Sequence, residues 1–173
     1  MSRTRNTVRY YLDTEFYEDG QTIDLISIAL VCEDGREFYA VNQEAKLHLV
    51  SPWVRQNVLP KLPPYSSQLW RPRQWIAKKI SAFTMHDDRP EFWAYYADYD
   101  WVALCQLYGT MMGLPRHMPN FCMDLEQLAV MKGQLNSDEF PLHPVGVVHD
   151  ALEDARWNKQ LHEFLEKYPW PTE

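Results

Sequence analysis

Residues 8–16, VRYYLDTEF, are β-branched and aromatic, and the polar YEDGQT behind them contains Gly20, a pattern that predicts a strand followed by a turn. Residues 23–31, IDLISIALV, are apolar at both alternating sets of positions, as a sheet strand covered on each side requires. Asp34-Gly35 is a tight-turn dipeptide, and the REFYAV after it predicts a third strand hairpinned onto the second. The spacing then changes to that of helices. SPWVRQNVL has Ser51 as a candidate N-cap and Pro52 at the first helical position, and a Pro-rich loop KLPPYSS follows. A second helix is predicted from about Pro72, with Trp75, Ile76, Ile80 and Phe83 on one apolar face. EFWAYYA reads as a fourth strand, running into a helix with Val102, Leu104, Cys105 and Tyr108 at helical spacing and Gly109 as its stop. Asp124 with Gln127 resembles a capping box for a short helix ending at Gly133. NSDEFPLHPVGVV is loop-like and is expected to act as a lid or flap. A last helix is expected from about Asp150 to Tyr168, with Leu152, Ala155, Leu161, Leu165 and Tyr168 inward.

The order of elements is that of an α/β domain. A three-stranded antiparallel meander, extended by parallel strands that alternate with helices, predicts a mixed five-stranded sheet flanked by helices, with a short strand near Phe121 and Cys122. The length of 173 residues fits one such domain, preceded by a flexible extension over residues 1–7. With 46% apolar residues a buried core is affordable, which excludes a disordered chain. The 17 basic against 24 acidic residues give a net charge of -7, which excludes a protein that coats nucleic acid by bulk positive charge but not an enzyme that gathers carboxylates around metal ions. Cys32, Cys105 and Cys122 are scattered and form no CxxC pair, so neither a disulfide framework nor a thiolate zinc site is expected. No apolar h-region opens the chain and no run approaches a membrane span, so the cytosol is the expected location.

Three groups of acids carry candidate chemistry. Asp13 and Glu15 lie two apart on the first strand, so both leave the same face and can reach one point, where they repel unless a cation sits between them. Asp100 follows the fourth strand, one turn into its helix, with Asp98 expected to be the N-cap. In VHDALEDA, Asp150 and Glu153 are expected to form a capping box, which leaves Asp154 on the helix and His149 on the loop just outside it. An imidazole there is the obvious general base near neutral pH. Taken singly, each group has a bland explanation as solvated acids, a charge at a helix start, or a loop histidine.

Taken in order, Asp-x-Glu on a first strand, Tyr-Asp after a middle strand and His-x4-Asp at a terminal helix resemble the motifs of the DEDDh family, the RNase H-like 3′-5′ exonucleases. The stretches YLDTEFYEDGQTIDLISIALV, EDGREFYAV, WVRQNVLPKLP, SQLWRPRQWI, YDWVALCQLYG and VHDALEDA are most similar to one branch, the polyadenylate-specific RNase AS exoribonucleases, and the match weakens over residues 110–148. The resemblance implies an RNase H-like fold that gathers Asp13, Glu15, Asp100 and Asp154, with His149 as the base. It implies two Mg²⁺ ions, replaceable by Mn²⁺, roughly 4 Å apart, which fits hard oxygen donors without a Cys/His cluster. It further implies hydrolysis of single-stranded RNA with 3′ adenylates to nucleoside 5′-monophosphates, by a homodimer that does not engage membranes. For the strand itself, Phe16 and Tyr17 are candidates to stack on bases, and Arg71 and Arg73, with Lys78 and Lys79, to meet phosphates. Trp53, Trp70, Trp75 and Trp93 are expected to pack. Two alternatives stay open: a DEDDh-type DNA exonuclease, and a binding module of the same fold without activity.

Overall fold

The computed structural model describes residues 7–87, 89–133, 140–143 and 148–170; the first six residues of the expected N-terminal extension, and most of the expected 136–148 lid, lie outside them. Strand β1 (Thr7–Glu18) pairs antiparallel with β2 (Ile23–Cys32), and β2 antiparallel with β3 (Glu37–Asn42). Gly35, at φ +92°, makes the turn between β2 and β3, a backbone conformation that suits glycine, and Asp34 Oδ1 accepts from Arg36 N–H at 3.0 Å to close it. Strand β4 (Trp70–Arg71) adds to β3 in parallel, β5 (Arg89–Ala94) lies parallel to β1, and β6 (Met123–Asp124) parallel to β5. The described sheet therefore has the order β4-β3-β2-β1-β5-β6. It is the expected mixed α/β sheet with six strands rather than five, consistent with an RNase H-like fold. The added strand, β4, is two residues long, too short to leave any hydrophobic period in the sequence.

Helices α1 (Pro52–Asn57), α2 (Arg73–Thr84), α3 (Ala97–Leu107), α4 (Leu125–Met131) and α5 (Ala151–Leu165) fall where the sequence predicts them. Ser51 caps α1 by accepting from Val54 N–H, and Gly109, at φ +86°, closes the chain past α3. The alternation of β1 assigns the two cores. Tyr10 and Leu12 face α2 and α3, burying against Ile76, Ile80 and Leu104, while Tyr11 faces the opposite layer of Leu125, Ala155 and Leu161 from α4 and α5. Each fully buried aliphatic side chain in these layers stabilises by about 1.5–3 kcal/mol. Val102, expected inward, instead stands on the solvent side of α3.

The β1–β2 register slips between Glu15 and Phe16, where Glu15 opposes Ser27 and Phe16 opposes Leu25. Ile26, skipped in that pairing, packs with Val50, Val54 and Val58 and so seats α1 beside the end of β1. Among the described residues no helix is long and apolar enough to cross a membrane.

Candidate active site

The last β1–β5 pair is Tyr11 with Trp93, so beyond it the edge of β1 at Asp13–Glu15 is open. Carboxyl ends of parallel strands whose neighbours diverge are where open α/β sheets place ligands. The N-terminus of α3 enters this gap. Thr14 donates to Asp100 Oδ1 from both its backbone N–H, at 2.8 Å, and its hydroxyl, at 2.6 Å, so Asp100 takes the ladder position a further strand would have filled. Asp13 and Glu15 flank Thr14 and belong to the other face of β1, toward α5.

The start of α3 corrects one expectation. Asp98 is exposed in the first turn and is not the cap; the N-cap is Tyr96, held left-handed at φ 55° without a side-chain bond. The free N–H of Ala97 is met from elsewhere by Asp124 Oδ2 at 2.7 Å, while Asp124 Oδ1 caps α4 at Gln127 N–H. One carboxylate thus ties two helix starts together, a solution that spacing along α3 could not reveal.

On the α5 side, Asp150 caps the helix through Leu152 and Glu153 N–H as expected. Glu153 does not complete the box, because Arg156 draws its carboxylate away. Asp154 Oδ2 accepts from the backbone N–H of His149 at 2.9 Å, which holds the histidine at φ 68°. One turn on, the buried Asn158 donates to Leu12 O at 2.9 Å and fixes α5 against the strand that carries Asp13.

Asp13, Glu15, Asp100, Asp154 and His149 line one open cleft of about 390 Å³, within the size range of small-ligand sites. Burial first, and mutual repulsion second, push the acids up: Asp13 well above the carboxylate range, Glu15 to about 8. Asp100 rises to about 7 by burial, against the opposing bonds from Thr14, and Asp154 to about 6 by burial, against the His149 N–H. His149 is lowered by burial and by Lys61, so its imidazole is neutral near pH 7 and able to accept a proton.

The donor set suits a hard divalent cation. Glu15, His149 and Asp154 present ligand atoms within 4.8 Å of one another, and the buried Oδ1 of Asp154 has no hydrogen-bond partner among the described residues. Acids held this close to one another are relieved either by protons or by a cation.

Of the strand-binding candidates, Phe16 and Tyr17 line the cleft. Arg71 and Arg73 do not: Arg71 lies 4.8 Å over the Trp75 ring, and Arg73, the first residue of α2, is 3.7 Å from Asp24. Lys78 and Lys79 are exposed on α2, with Lys79 Nζ 5.5 Å over Trp75. Trp70 and Trp93 are buried as expected, whereas Trp53 is 53% exposed and meets His149 edge-on, ring centroids 4.7 Å apart. Sequence reasoning also passed over Tyr96 and Tyr99, both exposed in the cleft, with Tyr99 stacked parallel to Phe16 at 5.5 Å. Their spacing, four and one residues before Asp100, was the available signal. Lys61, whose charge reaches both His149 and Asp154, had none.

A family model described as the 3′-5′ exoribonuclease Rv2179c-like domain matches residues 8–165, a span that holds all four acids and His149. Among curated proteins, the 3′-5′ exoribonuclease Rv2179c of Mycobacterium tuberculosis strain H37Rv is 50% identical over 159 residues, 91% of either chain. The 3′-5′ exoribonuclease MT2234.1 of Mycobacterium tuberculosis strain CDC 1551 / Oshkosh is similar to the same extent.

Proposed function

Because the chain belongs to the Rv2179c-like 3′-5′ exoribonuclease family, we propose that its cleft removes nucleotides from the 3′ end of single-stranded, adenylate-containing RNA by DEDDh-type chemistry. One observation carries the reading: four carboxylates, from β1, α3 and α5, converge on one cleft beside a neutral histidine.

In this proposal Asp13, Glu15, Asp100 and Asp154 hold two divalent cations, Mg²⁺ or Mn²⁺. Bound there, the cations supply the positive charge that activates the attacking water and stabilises the leaving oxygen. His149 accepts the proton of the water whose oxygen bonds to phosphorus; the bond from phosphorus to the 3′ oxygen breaks, and that oxygen takes a proton from solvent. The products are a nucleoside 5′-monophosphate and a chain one residue shorter with a free 3′ hydroxyl. His149 is positioned for this by its own N–H on Asp154 and by the Trp53 edge. The Phe16–Tyr99 pair, with Tyr17 and Tyr96, offers aromatic faces to the terminal bases. Lys61 contributes positive charge near the backbone phosphate.

The test is a panel of the four homopolymeric RNAs and matched DNA oligomers, assayed with Mg²⁺ and with Mn²⁺ for mononucleotide release. Faster release of AMP from polyadenylate than of any other product supports the reading. Equal release from all four RNAs removes the adenylate preference, equal rates on DNA remove the restriction to RNA, and no metal-dependent release removes the mechanism.

A further inference from the structure

Behind Asp154, on the side away from Phe16 and Tyr99, the cleft continues into a smaller pocket that includes Tyr95, His143, Trp157 and Asn158. His143 belongs to the short segment Phe140–His143, which is strapped onto α5. Phe140 is buried among Tyr95 and Phe164, Trp157 Nε1 donates to Pro141 O at 2.6 Å, and the His143 ring stacks on Trp157 with centroids 4.0 Å apart and planes 22° from parallel. Trp157 is one helical turn from Asp154, so the stack delivers His143 to that carboxylate. His143 Nδ1 lies 3.4 Å from Asp154 Oδ1, and among the described residues both atoms are buried without a hydrogen-bond partner. Two orphaned polar atoms at that separation lie within reach of a hydrogen bond to one another, and buried polar groups left unpaired are costly.

We propose that His143 is a positioning residue for Asp154: in its Nδ1–H tautomer it donates to Oδ1, while the His149 backbone N–H holds Oδ2. The carboxylate is then gripped at both oxygens, with its plane set before substrate arrives. Neutral imidazole is sufficient for this, so the role needs no change of charge on His143. It rests on the reading of Asp154 as a cation ligand, and hydrogen-bonded supports of this kind tune metal affinity by about 10–100-fold.

His143→Phe keeps a flat ring on Trp157 and removes the donor; His143→Asn places an amide N–H near the Nδ1 position. Mn²⁺ binding to the RNA-free protein, followed by titration calorimetry, is expected to weaken about ten-fold or more in His143→Phe and to recover in His143→Asn. The RNA KM at saturating Mn²⁺ should stay near the wild-type value in both. Independently of how the variants fold, imidazole ¹⁵N spectra of the wild-type protein are expected to report His143 with its proton on Nδ1. Wild-type Mn²⁺ affinity in a folded His143→Phe, or an Nε2–H tautomer at His143, overturns the assignment while leaving the metal site standing. Failure of the wild-type protein itself to bind Mn²⁺ overturns both.

Discussion

Asp13 and its partners are poorly placed for stability and well placed for binding cations. A buried carboxylate within reach of four others, as Asp13 is, destabilises the folded chain unless it is protonated or neutralised by a bound cation. Asp13→Asn is therefore expected to raise the Tm of the metal-free protein while lowering nuclease activity by orders of magnitude, to be checked by thermal melts in EDTA beside a mononucleotide-release assay. A residue that merely held the fold together would lower both. His149→Ala is expected to reduce kcat about 10²–10⁴-fold, with Tm nearly unchanged, because the side chain is half-buried and only its backbone N–H bonds to Asp154. Asp13, Glu15, Asp100, Asp154 and His149 stood out as candidates in the sequence because their motifs, taken in order along the chain, resemble those of the DEDDh family. Trp53 and Tyr96 did not, since an aromatic residue in an amphipathic or apolar run reads as packing until its neighbours are known.

Helices α3 and α5 bring acids to β1 through a few specific polar bonds. Asp124 serves two helix starts at once, so Asp124→Ala should cost about 1 kcal/mol for the lost α4 cap, and should also free the Ala97 N–H that seats α3. With α3 less fixed, Asp100 loses its alignment, and kcat is expected to fall more than the RNA KM rises; urea denaturation and steady-state kinetics on the same variant would show it. On the other face, Asn158→Ala leaves Leu12 O buried and unpaired, at a cost of about 1–3 kcal/mol, and loosens α5 from the strand carrying Asp13. The existence of these helices followed from periodicity and caps. Their cross-links did not, because Asp124 was already accounted for as a local cap and Asn158 lies mid-helix, where no pattern marks a bond to a strand 146 residues away.

For the molecule as a whole, the excess of acids links fold, metal and pH. Glu15 at about 8 and Asp100 at about 7 mean that the folded protein still holds protons that the unfolded chain has released near pH 4. Stability from these groups therefore falls as pH rises through the folded values. His162 works in the opposite direction: it is buried against Trp93 and 3.1 Å from Tyr11 Oη, and its lowered value of about 4 makes stability rise between about 4 and 6.5. Above pH 6.5 the acids act alone of the two. Melts in EDTA are expected to show Tm falling from pH 6.5 to 8, and saturating Mg²⁺ to abolish that slope; a flat EDTA profile would contradict the raised carboxylates. A net charge of -7 also predicts that RNA binding weakens sharply when divalent metal is removed.

Periodicity, turn residues and caps were enough to predict the order of strands and helices, because each of those signals is local and repeats within a few residues; the acid–histidine candidates emerged only from the order of their motifs along the chain and the family those motifs resemble. The tertiary structure decided which other side chains share their space. Strand order and register turned Trp53, Tyr96 and Tyr99 toward the cleft, brought the charge of Lys61 within range of Asp154, left Arg71 and Arg73 outside the cleft, and set His143 near Asp154. Such proximities are pairwise relations between distant segments, and a single slip in register would redirect every one of them, so they exist only once the sheet has closed on its helices.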